Sequence, residues 1–140
     1  MLSKLLLCLL AFIVSTLALT FPATIKPVAS KINYLAIDDK LGSPVHIKSE
    51  HYTWDATKLG GEKYTFQSQK TGAYASVKDD QIITAKEKDA NAVFLIKPSS
   101  QGYFITTPEG NKAWTIDNAS NTIKFLPIEE GKNQHFALNQ

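Results

Sequence analysis

Short stretches of polar–apolar alternation recur along the chain: P-V-H-I-K (44–48), Y-T-F (64–66), Y-F-I (103–105), W-T-I (114–116), I-K-F (123–125) and H-F-A-L (135–138). A period of two places apolar side chains on one face of an extended strand. V-F-L-I (93–96) adds a fully apolar candidate. Turn-forming runs separate them, among them L-G-S-P, L-G-G-E, K-T-G, P-E-G-N and D-N-A-S-N. Short strands at such spacing predict an all-β sandwich or barrel. The one helix-like stretch, A-K-E-K-D-A-N-A (85–92), has no long apolar stripe. The lead F-P-A-T-I-K-P-V (21–28) reads as extended, because Pro22 and Pro27 disfavour helix.

An internal repeat narrows this class. Tyr64-Thr-Phe66, A-Y-A-S-V (73–77), I-I and V-F-L-I (93–96) form one unit. Tyr103-Phe-Ile105, A-W-T-I (113–116), I-K-F (123–125) and Q-H-F-A-L (134–138) form another, at an offset of about 40 residues. The segment 32–58 reads as a third, more divergent unit. Propeller blades share this period, but a propeller needs four or more of them and the chain is too short. Three four-stranded units predict a β-trefoil.

The amino end reads as a leader. Lys4 precedes an unbroken apolar run from Leu5 to Val14, and small residues follow at Ser15, Thr16 and Ala18. That pattern describes a secretory signal peptide, and the run is shorter than the roughly 20 residues of a membrane span. Cleavage is expected after Ala18, with Thr20 close behind, so 1–18 is the expected leader and 19–140 a single domain. Cys8 leaves with the leader, and with it go disulfides, thiol catalysis and thiolate metal sites. All fifteen basic residues are lysines, scattered among thirteen acids. No basic stripe tracks a phosphate backbone, so nucleic acid is not an expected partner.

G-A-Y-A-S-V-K-D-D-Q-I-I-T-A, A-V-F-L-I-K-P, Y-F-I-T-T-P-E-G-N-K-A-W-T-I and T-I-K-F-L-P-I-E-E-G-K-N-Q-H-F-A-L together resemble the fungal secreted β-trefoil serine-protease inhibitors of the cospin type. The resemblance covers 64–140. It implies a twelve-strand trefoil that blocks serine proteases through one exposed loop, without catalysis. Q-H-F (134–136) also resembles the Q-x-W signature of ricin-B-like lectin trefoils, with Phe in the Trp position. A-V-F (92–94) is a degenerate second copy, and no clear copy stands in the first unit. That resemblance implies glycan binding as the alternative function, and a trefoil with neither activity is a third.

The candidate residues follow from these chemistries. An inhibitory loop must be exposed and rigid, so that little ordering entropy is lost on binding. Turn chemistry selects 38–44 with Lys40 and Leu41, and 57–62 with Lys58 and Leu59, each lysine suiting a trypsin-like pocket. A sugar site needs an aromatic face beside hydrogen-bonding groups. Its candidates are Tyr52, Trp54 and Asp55, and the cluster of Trp114 with Asp117, Asn118 and Asn133. Trp114 alternates in phase with Ile116, which assigns it to the core. Aromatics lying open would favour the lectin; buried aromatics beside a projecting lysine loop would favour the inhibitor. Asn118-Ala-Ser120 is the one N-glycosylation sequon, in an expected turn. His46, His51 and His135 form no motif, and His46 is expected to face solvent. No catalytic residue, metal site or cofactor is expected; the chain reads as a secreted monomer, free of membrane once the leader is removed.

Overall fold

The computed structural model describes residues 18–140 apart from Lys31 and Glu130, and the side chain of Lys132 is also left out. The expected leader therefore lies, except for Ala18, outside the described residues. Twelve strands run in chain order: β1 (Leu19–Pro27), β2 (Tyr34–Ala36), β3 (His46–Lys48), β4 (Trp54–Gly60), β5 (Lys63–Ser68), β6 (Tyr74–Lys78), β7 (Gln81–Ala85), β8 (Phe94–Ser99), β9 (Gly102–Thr106), β10 (Lys112–Asp117), β11 (Thr122–Pro127) and β12 (Phe136–Asn139). Single 3-10 turns at Ala90–Ala92 and Lys132–Gln134 precede β8 and β12.

The pairings close a ring. β1 pairs with β4, β4 with β5, β5 with β8, β8 with β9, β9 with β12, and β12 returns to β1. Closure leaves this barrel no free edge. The remaining strands make three hairpins, β2–β3, β6–β7 and β10–β11, which cap one end. The hairpins meet through equivalent residues: Val45 N donates to Ile82 O at 2.8 Å, and Ile123 N to Val45 O at 3.1 Å. All three side chains are fully buried. A six-stranded barrel capped by a hairpin triplet is a β-trefoil, with units β1–β4, β5–β8 and β9–β12.

The first unit starts earlier than the repeat implied. It opens with β1 at Leu19 rather than near Ile32, and β1 pairs on both sides of its length. Alternate residues Ala23, Ile25 and Pro27 are buried, so the strand has the expected period. Pro22 and Pro27 conceal it in sequence, because proline within a run demotes a strand reading.

Threefold likeness is clearest in the core. Trp54, Phe94 and Phe136 open β4, β8 and β12, the last strand of each unit, and none is exposed. Trp114 lies among them, with ring centroids 5.0 Å from Phe94 and 5.7 Å from Phe66. Burying each large ring contributes roughly 2–3 kcal/mol of transfer free energy. The missing first copy of the Q-x-W pattern is thus Tyr52-Thr-Trp54, invisible as a motif but equivalent in place.

Candidate functional site

The residue two positions before each of those rings differs among units: Tyr52, Ala92 and Gln134. Gln134 acts as a clamp. Its Nε2 donates to Pro127 O at 2.9 Å and to Thr115 Oγ1 at 3.0 Å, and its Oε1 accepts from Glu129 N at 2.7 Å. The loop between β11 and β12 is thereby fastened to the β10–β11 hairpin, and the Gln134 side chain is buried.

Between that loop and the hairpin lies a cleft of about 710 Å³. Asp117, Asn118 and Lys124 from the hairpin, Leu126 and Pro127 from the end of β11, and Asn133 from the loop contribute to its lining. The Asp117 carboxylate has three partners. It meets Lys124 Nζ at 2.7 Å and accepts from Ser120 Oγ at 2.9 Å and Ala119 N at 3.1 Å. The Lys124 ammonium and then the Ser120 hydroxyl hold its carboxyl below the ordinary value of 3.8. Leu126 is 44 % exposed and supplies the apolar wall. Among the described residues no aromatic side chain lines this cleft. It offers hydrogen bonds and a small aliphatic surface, and no stacking platform.

Three of the four residues in the second sugar cluster, Asp117, Asn118 and Asn133, are thus brought together. Trp114 is not among them: as expected from its phase, it is buried in the core. The first cluster does not assemble, which corrects the expectation of an open aromatic patch. Trp54 is fully buried and donates from Nε1 to Leu35 O at 3.0 Å. Asp55, next along β4, points to the other face and accepts from Gln69 Nε2 at 2.8 Å. Tyr52 is half-buried, packs on Trp54 and shares a hydrogen bond with Ser68 Oγ. Burial pushes its phenol above 10.0. It borders a shallow hollow of about 270 Å³ with His51 and Lys70.

The two loop candidates also separate. Lys40 and Leu41 are exposed, Leu41 by 53 %, on a turn tied to β7. Gly42 N donates to Thr84 O at 2.9 Å, while Lys40 O accepts from Thr84 Oγ1 at 3.2 Å and Ser43 N at 3.3 Å. Gly42 has φ of 83°, a conformation that glycine adopts without steric cost. Lys58 and Leu59 instead belong to β4, where Lys58 pairs with Leu19 on one side and Tyr64 on the other. At Lys58 the backbone is held from both sides, while 59–62 forms the bulged, exposed end of the β4–β5 hairpin, with Leu59 40 % exposed.

The histidines lie apart in three settings. His46 is half-buried rather than turned to solvent, with Nδ1 at 3.2 Å from Pro44 O and Nε2 at 3.6 Å from Asp38. His51 is exposed beside Thr53 and Tyr34. His135 is buried, 2.7 Å from Ser99 Oγ and packed on Phe104. Among the described residues no group of three or more His, Cys, Asp or Glu is placed to hold a metal ion, and no helix is long and apolar enough to cross a membrane.

Neither a comparison with protein-family models nor one with curated protein sequences gives a match. Solved structures do. ThreeFoil, a designed threefold-symmetric protein, aligns at a TM-score of 0.76, with 17 % identity over 85 % of this chain and 98 % of its own. The Rhizoctonia solani agglutinin aligns at 0.73, with 14 % identity over 86 % of this chain and 94 % of its own. A Polyporus squamosus lectin, solved with the epitope Neu5Aca2-6Galb1-4GlcNAc, also aligns at 0.73, with 17 % identity over 84 % of this chain and 48 % of its own. This chain spans about half of that lectin's length. At these identities the likeness shows the β-trefoil fold. Of these three, one is a designed trefoil and two are lectins.

Proposed function

We propose that this chain is a secreted, non-catalytic glycan-binding trefoil with one site, the cleft of the third unit. The observation that carries the reading is the Gln134 clamp. It holds a polar cleft open in one unit, where Asp117, Asn118 and Asn133 stand beside the Leu126–Pro127 wall. The lectin neighbours support it at the level of fold. Buried tryptophans remove stacking from the interaction, so binding rests on hydrogen bonds and a leucine face. Binding without stacking should be weak, and a dissociation constant of about 1 mM, near −4 kcal/mol, is taken as its scale. A glycan array followed by calorimetric titration of the best glycan tests it. Saturable binding at one site per chain is expected, and no selective binding at millimolar sugar would overturn it.

A second reading has its own observation. The Lys40–Leu41 turn is exposed and pinned at both carbonyl and amide, and Trp54 and Trp114 are buried, the conditions set above for an inhibitor; the glycan reading rests instead on the Gln134 cleft and the likeness in fold to lectins. Serine-protease inhibition through Lys40 is therefore assayed alongside, against trypsin, chymotrypsin and subtilisin. Stoichiometric inhibition of trypsin at micromolar protein would support it, and none at that concentration would discard it.

A further inference from the structure

The sequon asparagine lines the proposed site. Asn118 is exposed at the turn of the β10–β11 hairpin and also contributes to the cleft wall, on the same cleft as Leu126 and Asn133. The turn is stiff. The Asp117 carboxylate ties down Ala119 N and Ser120 Oγ, Ser120 Oγ lies 2.6 Å from Thr122 Oγ1, and Asn121 closes the turn at φ of 54°. A group attached to Asn118 Nδ2 therefore leaves from the rim of the cleft.

We propose that an N-linked glycan on Asn118 masks the cleft, so that modification regulates the site; this rests on the glycan-binding reading above. In the modification, Nδ2 bonds to the anomeric carbon of a glycan carried on a diphosphate-linked lipid donor. The bond from that carbon to the diphosphate breaks, the diphosphate leaves with the electron pair, and the amide gives up one proton. The attached chain is itself a sugar, the ligand class assigned to the cleft. A ligand on a short flexible tether has an effective concentration of the order of millimolar. That equals the dissociation constant expected of a site without an aromatic face. A free glycan must then displace a tethered one and pass around its bulk.

The test uses the full chain expressed in a eukaryotic secretory host, with and without an inhibitor of N-glycosylation. Peptide mass mapping reads occupancy of Asn118. Both forms are titrated with N-acetyllactosamine and with diacetylchitobiose, and backbone hydrogen exchange is followed over 128–134. The glycosylated form should bind at least about twofold more weakly than the unmodified form, with slower exchange over that loop. An unmodified Asn118 in secreted protein, or equal affinity of the two forms, would overturn the proposal. If neither form binds sugar, the glycan-binding reading falls by itself. Slower exchange in the glycosylated form then still supports a glycan lying over the cleft, and unchanged exchange overturns it.

Discussion

At the scale of single residues, Gln134 connects fold to function. Its three hydrogen bonds satisfy one carbonyl, one amide and one hydroxyl that would otherwise compete for water in a half-buried loop. Gln134→Ala should cost about 1–3 kcal/mol in urea denaturation and should weaken glycan binding by more than the stability loss explains. Leu126 is exposed where an aromatic face would serve a sugar better. Leu126→Trp should tighten glycan binding by about 1 kcal/mol, roughly fivefold, measured by calorimetry. Asp117 governs the response to acid. Its folded-state value lies below 3.8, so its contribution to stability is present above pH 3.8 and is lost as pH falls through the lowered value. Asp38, held down by the Lys48 hydrogen bond and then by His46, acts in the same direction. Thermal melts should show stability falling below pH 3.8, and Asp117→Asn should make that fall shallower.

At the scale of elements, legibility in sequence followed how local each cause is. The β10–β11 hairpin was readable, because alternation around Trp114 and Phe125 and the D-N-A-S-N turn sit within one stretch. β1 was not, since Pro22 and Pro27 mask its period and only its pairing with β4 and β12 makes it a strand. Tyr52, Trp54 and Asp55 looked like a surface patch for the same reason. Nothing local says that Trp54 stands where Phe94 and Phe136 stand, inside the barrel. Lys40 and Lys58 carry similar turn chemistry, and long-range pairing alone separates them: Lys40 is on an exposed turn tied to β7 by Thr84, Lys58 inside a three-strand ladder. If trypsin is inhibited, Lys40→Ala should abolish inhibition, and Lys58→Ala should leave it within twofold, about 0.4 kcal/mol. The reverse pattern would contradict the placement of the loop.

At the scale of the molecule, threefold architecture is kept while the clamp position differs in each unit. The barrel and hairpin triplet need equivalent apolar residues in every unit, and Val45, Ile82 and Ile123 or Trp54, Phe94 and Phe136 supply them. The clamp position is under no such demand. Tyr52 in the first unit bonds to Ser68 and packs on Trp54, Ala92 in the second has no side-chain polar group, and Gln134 in the third makes the three clamp bonds. One site per chain implies binding without cross-linking, so the protein should not agglutinate cells bearing the glycan it binds. The most direct measurement is a backbone-amide NMR titration of the unglycosylated protein with the best glycan from the array. Saturable shifts confined to the β10–β11 hairpin and residues 127–134, fitting one site, are the predicted result. Shifts centred on Tyr52–Asp55 or spread over all three units would contradict the account, as would no shifts at millimolar sugar.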